Sequence, residues 1–185
     1  MTANALWYLA RGSGVVALVL FSIVMALGIT TRSARPLFGL PRFVVVLVHR
    51  STSLLALVFL GIHVGTMLLD PYAPLKLIDV LVPFAGPYRS FWLGMGTLAA
   101  ELLVAVIVTS LLRQRIGLRA WRFVHWAAYA SWPFAVVHGL GTGTDNGTVW
   151  LWLITAGCVG LVVGCVAWRL STGFAARPKV LVGAR

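Results

Sequence analysis

FVVVLVHRSTSLLALVFLGIHVGTMLL, residues Phe43–Leu69, decides the fold: a long apolar run whose one charged residue is Arg50 and which carries two histidines, His49 and His63. It exceeds the roughly 20 apolar residues that a helix needs to cross the hydrocarbon core of a bilayer. A buried strand or a core helix of a soluble domain is far shorter, so the run reads as a transmembrane helix. Four similar runs flank it, Leu6–Ile29, Phe91–Leu112, Ala120–Leu140 and Val149–Leu170. The expected architecture is an all-α integral membrane bundle of about five transmembrane helices, forming a single domain over residues 1–185. The segment LKLIDVLVPF from Leu75 is apolar but too short to span. Pro71, Pro74, Pro83 and Pro87 bracket or break it, so it reads as a short helix lying in the interface.

Composition agrees with this class. Hydrophobic residues make up 60% of the 185 and charged residues 10%, with a mean hydropathy of +0.95, too few polar groups to cover a soluble surface. No basic residues precede the first apolar run and no small-residue cleavage site follows it, so it is expected to stay as a membrane helix. No internal repeat is apparent.

A net charge of +11 suggests a nucleic-acid binder until its distribution is traced. Arg32, Arg35, Arg42 and Arg50 surround the first loop, and Arg113, Arg115, Arg119 and Arg122 the loop before the fourth run. Arg169, Arg177, Lys179 and Arg185 lie at or beyond the last run. With alternating helices these twelve of the fifteen basic residues fall on one side, and Arg11, Lys76 and Arg89 on the other. The positive-inside rule then places the N-terminus outside and the C-terminus in the cytoplasm. The charge is topological, and no nucleic-acid partner is implied. Arginine in place of lysine points to a GC-rich, bacterial genome and hence to a multi-pass protein of the cell membrane.

The chain has only four histidines, His49, His63, His125 and His138, and each falls inside an apolar run. One intramembrane histidine is explained by a hydrogen bond to a neighbouring helix. Two helices carrying two each demand more, because ionisable groups at that depth are costly. Thirteen residues separate His49 from His63 and twelve separate His125 from His138, so each pair spans roughly 20 Å along its helix. The second and fourth runs enter from the same side, so His49 matches His125 in depth near the inner face, and His63 matches His138 near the outer face. Two pairs at matched depth suit axial ligation of two haem irons by neutral imidazoles. Such ligation fills both axial positions and serves electron transfer.

The angular register is tidy for one pair only. Fourteen helical steps bring His63 within roughly 40° of His49, whereas thirteen leave His138 roughly 140° from His125. Pro133 lies between the latter two and is expected to break the ladder and let the helix turn. Ser53, Ala56, Gly61 and Gly65 leave room for a flat ring, and Tyr129 and Trp132 are candidates to fill the space between two rings. Arg42, Arg50, Arg119 and Arg122 are placed to meet the carboxylates of an inner haem, and Arg11 and Arg89 those of an outer one. Glu101, deep in the third run, is expected to face the bundle and find a partner there. Cys158 and Cys165 are too far apart on one helix for a disulfide and read as packing residues. Gly157, Gly160 and Gly164 suit close helix packing.

HRSTSLLALVFLGIH from His49 and WRFVHWAAYASWPFAVVH from Trp121 resemble the ferric reductase-like transmembrane domain. That family includes eukaryotic ferric reductases, NADPH oxidases and the haem-bearing membrane subunit of bacterial periplasmic methionine sulfoxide reductase. The resemblance implies haem b ligation by His49, His63, His125 and His138, and electron flow from the cytoplasmic to the outer face. It implies an oxidoreductase electron-transfer subunit with a separate flavoreductase or quinol as donor and an extracytoplasmic acceptor. Relatives commonly have six spans and a cytoplasmic flavin and NADPH domain. Five spans and fifteen residues after Leu170 leave no room for that domain here. Some bacterial relatives bind one haem with a flavin, so two haems, or one with FMN or a quinone, stay open. The alternatives are a quinol-linked cytochrome b subunit of another redox complex and a haem-free membrane scaffold or assembly subunit.

Overall fold

A computed structural model describes residues 2–33, 39–71, 75–143, 145 and 147–171. Arg35, Arg177, Lys179 and Arg185, all part of the charge pattern, lie outside the described residues. Those described form seven helices and no strand: α1 (Thr2–Thr30), α2 (Arg42–Leu69), α3 (Leu77–Leu81), α4 (Ser90–Leu111), α5 (Arg113–His125), α6 (Ala127–Thr142) and α7 (Val149–Leu170). By length and composition α2, α4, α7 and Ala5–Thr30 of α1 can each cross a membrane. The reason is physical: in lipid every backbone polar group must be satisfied within the segment, and a helix does so. The hydroxyls follow the same rule by bonding back into their own helix. Ser22 Oγ donates to the Leu18 carbonyl at 2.8 Å, Ser53 Oγ to His49 at 2.7 Å and Thr66 Oγ1 to Ile62 at 2.7 Å.

The fourth apolar run is built differently from the others. It does not appear as one helix over Ala120–Leu140 but as the C-terminal part of α5 followed by α6. Gly117, at φ 81°, interrupts α5 with a conformation that glycine adopts readily. At Trp126 the ladder tightens: its N–H is shared between the carbonyls of Arg122 (3.3 Å) and Phe123 (3.2 Å), and the Tyr129 N–H reaches the Trp126 carbonyl at 3.0 Å. The division therefore falls at Trp126 and not at Pro133, which sits inside α6. Tighter winding turns the helix further per residue, the sense needed to bring His138 round toward the face of His125.

The short apolar segment forms α3 as expected. Asp79 Oδ2 accepts the Lys76 N–H at 2.9 Å in a reciprocal cap, and Thr97 Oγ1 of α4 donates to the Asp79 carbonyl at 2.9 Å, fastening α3 to the bundle.

Two helical hairpins make the frame. α2 packs chiefly on α1, and α6 on α4; α1 also touches α6 and α7 and so joins the halves. The core between them holds Phe21, Met25, Trp132, Val136, Cys158 and Val162, and the Trp132 indole N–H donates to Ser22 Oγ at 2.9 Å. Cys158 and Cys165 are free thiols, and Cys158 is a packing residue of this core. The outer faces are apolar, with Phe43, Leu47, Leu54, Val58 and Leu69 of α2 exposed, as lipid contact requires.

One expectation about packing is overturned. Glu101 does not face the bundle: it is exposed on the stripe of α4 that carries Val104, Val108 and Leu111. Hydrophobicity of the whole α4 sequence hid which side of it is covered. Of the close packing expected at Gly157, Gly160 and Gly164, inside the chain or with a partner, the chain itself supplies none among the described residues, since a Cβ at any of them would meet nothing within 4 Å.

Candidate haem-binding site

α2 and α6 carry three of the four histidines, and α5 ends on the fourth. All four line one elongated cavity of about 1290 Å³, running between the α1–α2 and α4–α6 hairpins. That is larger than the pocket of a single drug-sized ligand. Ser53, Ala56, Tyr129 and Gly139 line it as well.

Toward one end His63 and His138 stand opposite one another, with ring centres 6.1 Å apart and planes nearly perpendicular at 80°. A metal–imidazole bond of about 2 Å on each side, with about 1.1 Å from ring nitrogen to ring centre, gives a separation of roughly 6.2 Å for two imidazoles on one metal ion. The pair is therefore spaced as the two axial ligands of a single iron. Among the described residues no three His, Cys, Asp or Glu side chains converge to hold a bare metal ion. A metal at this pair must bring its other ligands with it, as the iron of a porphyrin does.

The ring orientation is set from the backbone. His63 Nδ1–H donates to the Ala10 carbonyl at 2.7 Å, and His138 Nδ1–H to the Trp92 carbonyl at 2.9 Å. His49 Nδ1–H donates to the Val24 carbonyl at 3.1 Å. Donation from Nδ1 leaves Nε2 with its lone pair free, the tautomer a metal ligand needs. His49 and His125 both line the cavity. His125 differs from the rest: its Nδ1 is buried without a hydrogen-bond partner among the described residues, and its ring lies 5.0 Å from that of Trp121 at 33°.

Close approach of these rings to the neighbouring helix requires glycine, a signal the reading of the sequence missed. A Cβ on Gly96 would lie 2.4 Å from His138 Nδ1, and one on Gly14 2.8 Å from His63 Nδ1. At Gly28 it would stand 3.4 Å from His49 Cε1. Gly14 and Gly28 are fourteen residues apart on α1, the interval that separates His49 and His63 on antiparallel α2. Gly61 and Gly65, expected to make room beside His63, have nothing near them and are not among the cavity-lining residues.

Of the arginines singled out from sequence, Arg11, Arg42, Arg50 and Arg122 line the cavity; Arg89 and Arg119 do not. Arg89 is instead used structurally, donating to the carbonyls of Gly141 (2.7 Å) and Thr142 (3.2 Å). Arg11 pairs with Asp145 and lies 4.5 Å over the Trp7 ring. Arg32, Arg113 and Arg169 also line the cavity, and Arg169 donates to Tyr129 Oη at 2.7 Å. Trp132 does not fill space between rings; it is buried in the core on its bond to Ser22.

The family described as ferric reductase like transmembrane component matches residues 13–137. The match begins one residue before Gly14 and ends one residue before His138. No curated protein and no solved structure matches the chain.

Proposed function

The chain belongs to the ferric reductase-like transmembrane family, and we propose that it is a b-type cytochrome subunit carrying electrons from a cytoplasmic or quinol donor to an extracytoplasmic acceptor. His49 and His125 would hold an inner haem b, and His63 and His138 an outer one. When bound, haem supplies one-electron redox chemistry at two depths of the membrane. The observation that carries this reading is the His63–His138 pair, spaced at 6.1 Å with each Nδ1 tied to a backbone carbonyl.

The protein's own part is to fix, shield and charge-balance that site. The carbonyls of Ala10, Val24 and Trp92 hold three rings in the ligating tautomer. Exposed apolar faces keep the cavity within lipid, away from water. Arg50 and Arg122 would meet the carboxylates of the inner group and Arg11 those of the outer one, since all three line the cavity. With the broken α5–α6 segment as a fifth span, the segregation of basic residues would put the C-terminus in the cytoplasm. The basic inner surface would then dock a separate flavoreductase.

Transmembrane electron flow tests this directly. Liposomes carrying the haem-loaded protein, with ferricyanide trapped inside and dithionite outside, should bleach the trapped acceptor, and His63→Ala should abolish the effect. Bleaching no faster than in protein-free liposomes would refute the proposal.

A further inference from the structure

We propose, on the two-haem reading above, that Ser110 is a positioning residue that denies His125 the backbone acceptor given to the other three histidines. The haem of His49 and His125 is thereby the higher in midpoint potential.

One pattern is repeated three times. Each anchored histidine donates to the carbonyl of one residue and lies against a glycine four positions later. The pairs are Ala10 with Gly14 for His63, Val24 with Gly28 for His49, and Trp92 with Gly96 for His138. Along α1 the pattern recurs after fourteen residues, from Ala10 and Gly14 to Val24 and Gly28. The same step along α4, from Trp92 and Gly96, arrives at Val106 and Ser110. The fourth glycine is a serine.

The hydroxyl of that serine is engaged on both sides. Ser110 Oγ donates to the Val106 carbonyl at 2.6 Å and accepts the Trp121 indole N–H at 3.1 Å. Thr109 Oγ1 donates chiefly to the Ala105 carbonyl at 2.7 Å and only at 3.2 Å toward that of Val106. The Val106 carbonyl thus carries a hydroxyl bond shorter than the 3.1 Å one that Ser13 Oγ makes to the Ala10 carbonyl beside His63, Trp121 lies against the imidazole, and among the described residues Nδ1 of His125 is buried without a partner. The inner site is looser on its other side too. His49 has the longest of the three bonds, at 3.1 Å, and the roomiest glycine contact, at 3.4 Å.

The electronic consequence follows from ordinary ligand chemistry. An imidazole that donates its Nδ1–H to a carbonyl gains electron density at Nε2 and stabilises the oxidised iron, which lowers the potential. His63 and His138 both receive this help; of the inner pair only His49 does. Arginines near the inner site raise its potential as well, so the share of Ser110 must be isolated by substitution.

The test is a spectroelectrochemical titration of the full haem-loaded chain, with the inner wave assigned as the one lost in His49→Ala. In Ser110→Gly the fourth cradle is completed. The inner haem should then become about tenfold harder to reduce, about 59 mV for one electron, while the outer wave stays in place. Ser110→Ala guards against a helix weakened by glycine; freeing the Val106 carbonyl but keeping a methyl group, it should move the inner wave the same way by less. An unmoved inner wave in Ser110→Gly with two haems retained would overturn the inference alone, as would equal shifts of both waves. A wild-type protein with no inner haem would overturn the two-haem reading and the inference with it.

Discussion

A methyl group added at Gly96 should expel the outer haem, while the same change at Gly28 should be tolerated. The Cβ of Gly96→Ala would stand 2.4 Å from His138 Nδ1, where ordinary contact begins at 3.4 Å. The imidazole must therefore retreat by about 1 Å, and interiors packed this closely do not absorb such a change freely. That retreat stretches the 2.9 Å bond to the Trp92 carbonyl beyond hydrogen-bonding range. Overpacking costs about 1–3 kcal/mol, and the lost bond adds about 1 kcal/mol. Loss of a ligand's orienting partner alone typically weakens metal binding about 10- to 100-fold. At Gly28 the Cβ would meet His49 Cε1 at 3.4 Å, an acceptable contact, and alanine favours the helix by about 1 kcal/mol. Gly14→Ala, at 2.8 Å from His63 Nδ1, should fall between the two and strike the same outer haem as Gly96→Ala. The assay is haem retained per chain after purification, with haem titrated back into depleted protein. Full haem in Gly96→Ala beside a depleted Gly28→Ala would refute the cradle argument.

Arg11 and Asp145 should move the outer haem in opposite directions: Arg11→Ala lowers its midpoint potential by removing a positive charge, and Asp145→Asn raises it by leaving that charge unbalanced. Redox titration checks both, and shifts of the same sign would contradict the placement of Arg11. In a background without Cys158 and Cys165, a cysteine at Gln114 should resist a membrane-impermeant thiol label in intact cells and one at Gly147 should react; the reverse pattern would invert the topology. Glu101→Gln should leave haem content and both potentials unchanged, because Glu101 sits on the exposed stripe of α4; loss of either haem would show it acting on the cavity.

Apolar length and histidine spacing made most of this molecule legible, because both are local properties of the chain. The runs at Leu6, Phe43, Phe91 and Val149 became single helices for that reason. The run at Ala120 concealed its division at Trp126, since a ladder that shifts from four-residue to three-residue bonds leaves no mark in hydropathy. The pairing of His63 with His138 was readable from depth, and the structure brings those two together. The glycines opposite the histidines were not readable in the same way. Gly14, Gly28 and Gly96 acquire meaning only once α1 is set against α2 and α4 against α6, whereas Gly61 and Gly65 drew notice merely by lying beside His63 in sequence. Glu101 was misjudged for a related reason, and the reading of Trp132 stayed open between packing and the space between rings. The orientation of an almost wholly apolar helix is decided by its neighbours, and α4 and α6 have too little polar contrast to reveal it.

Haem content of the four single histidine variants tests the central claim most directly. Wild-type protein should carry two b-type haems per chain. His49→Ala and His125→Ala should each lose the same one, and His63→Ala and His138→Ala the other, as identified by its potential. Wild-type haem content in all four variants, or losses that pair His49 with His138, would contradict the account.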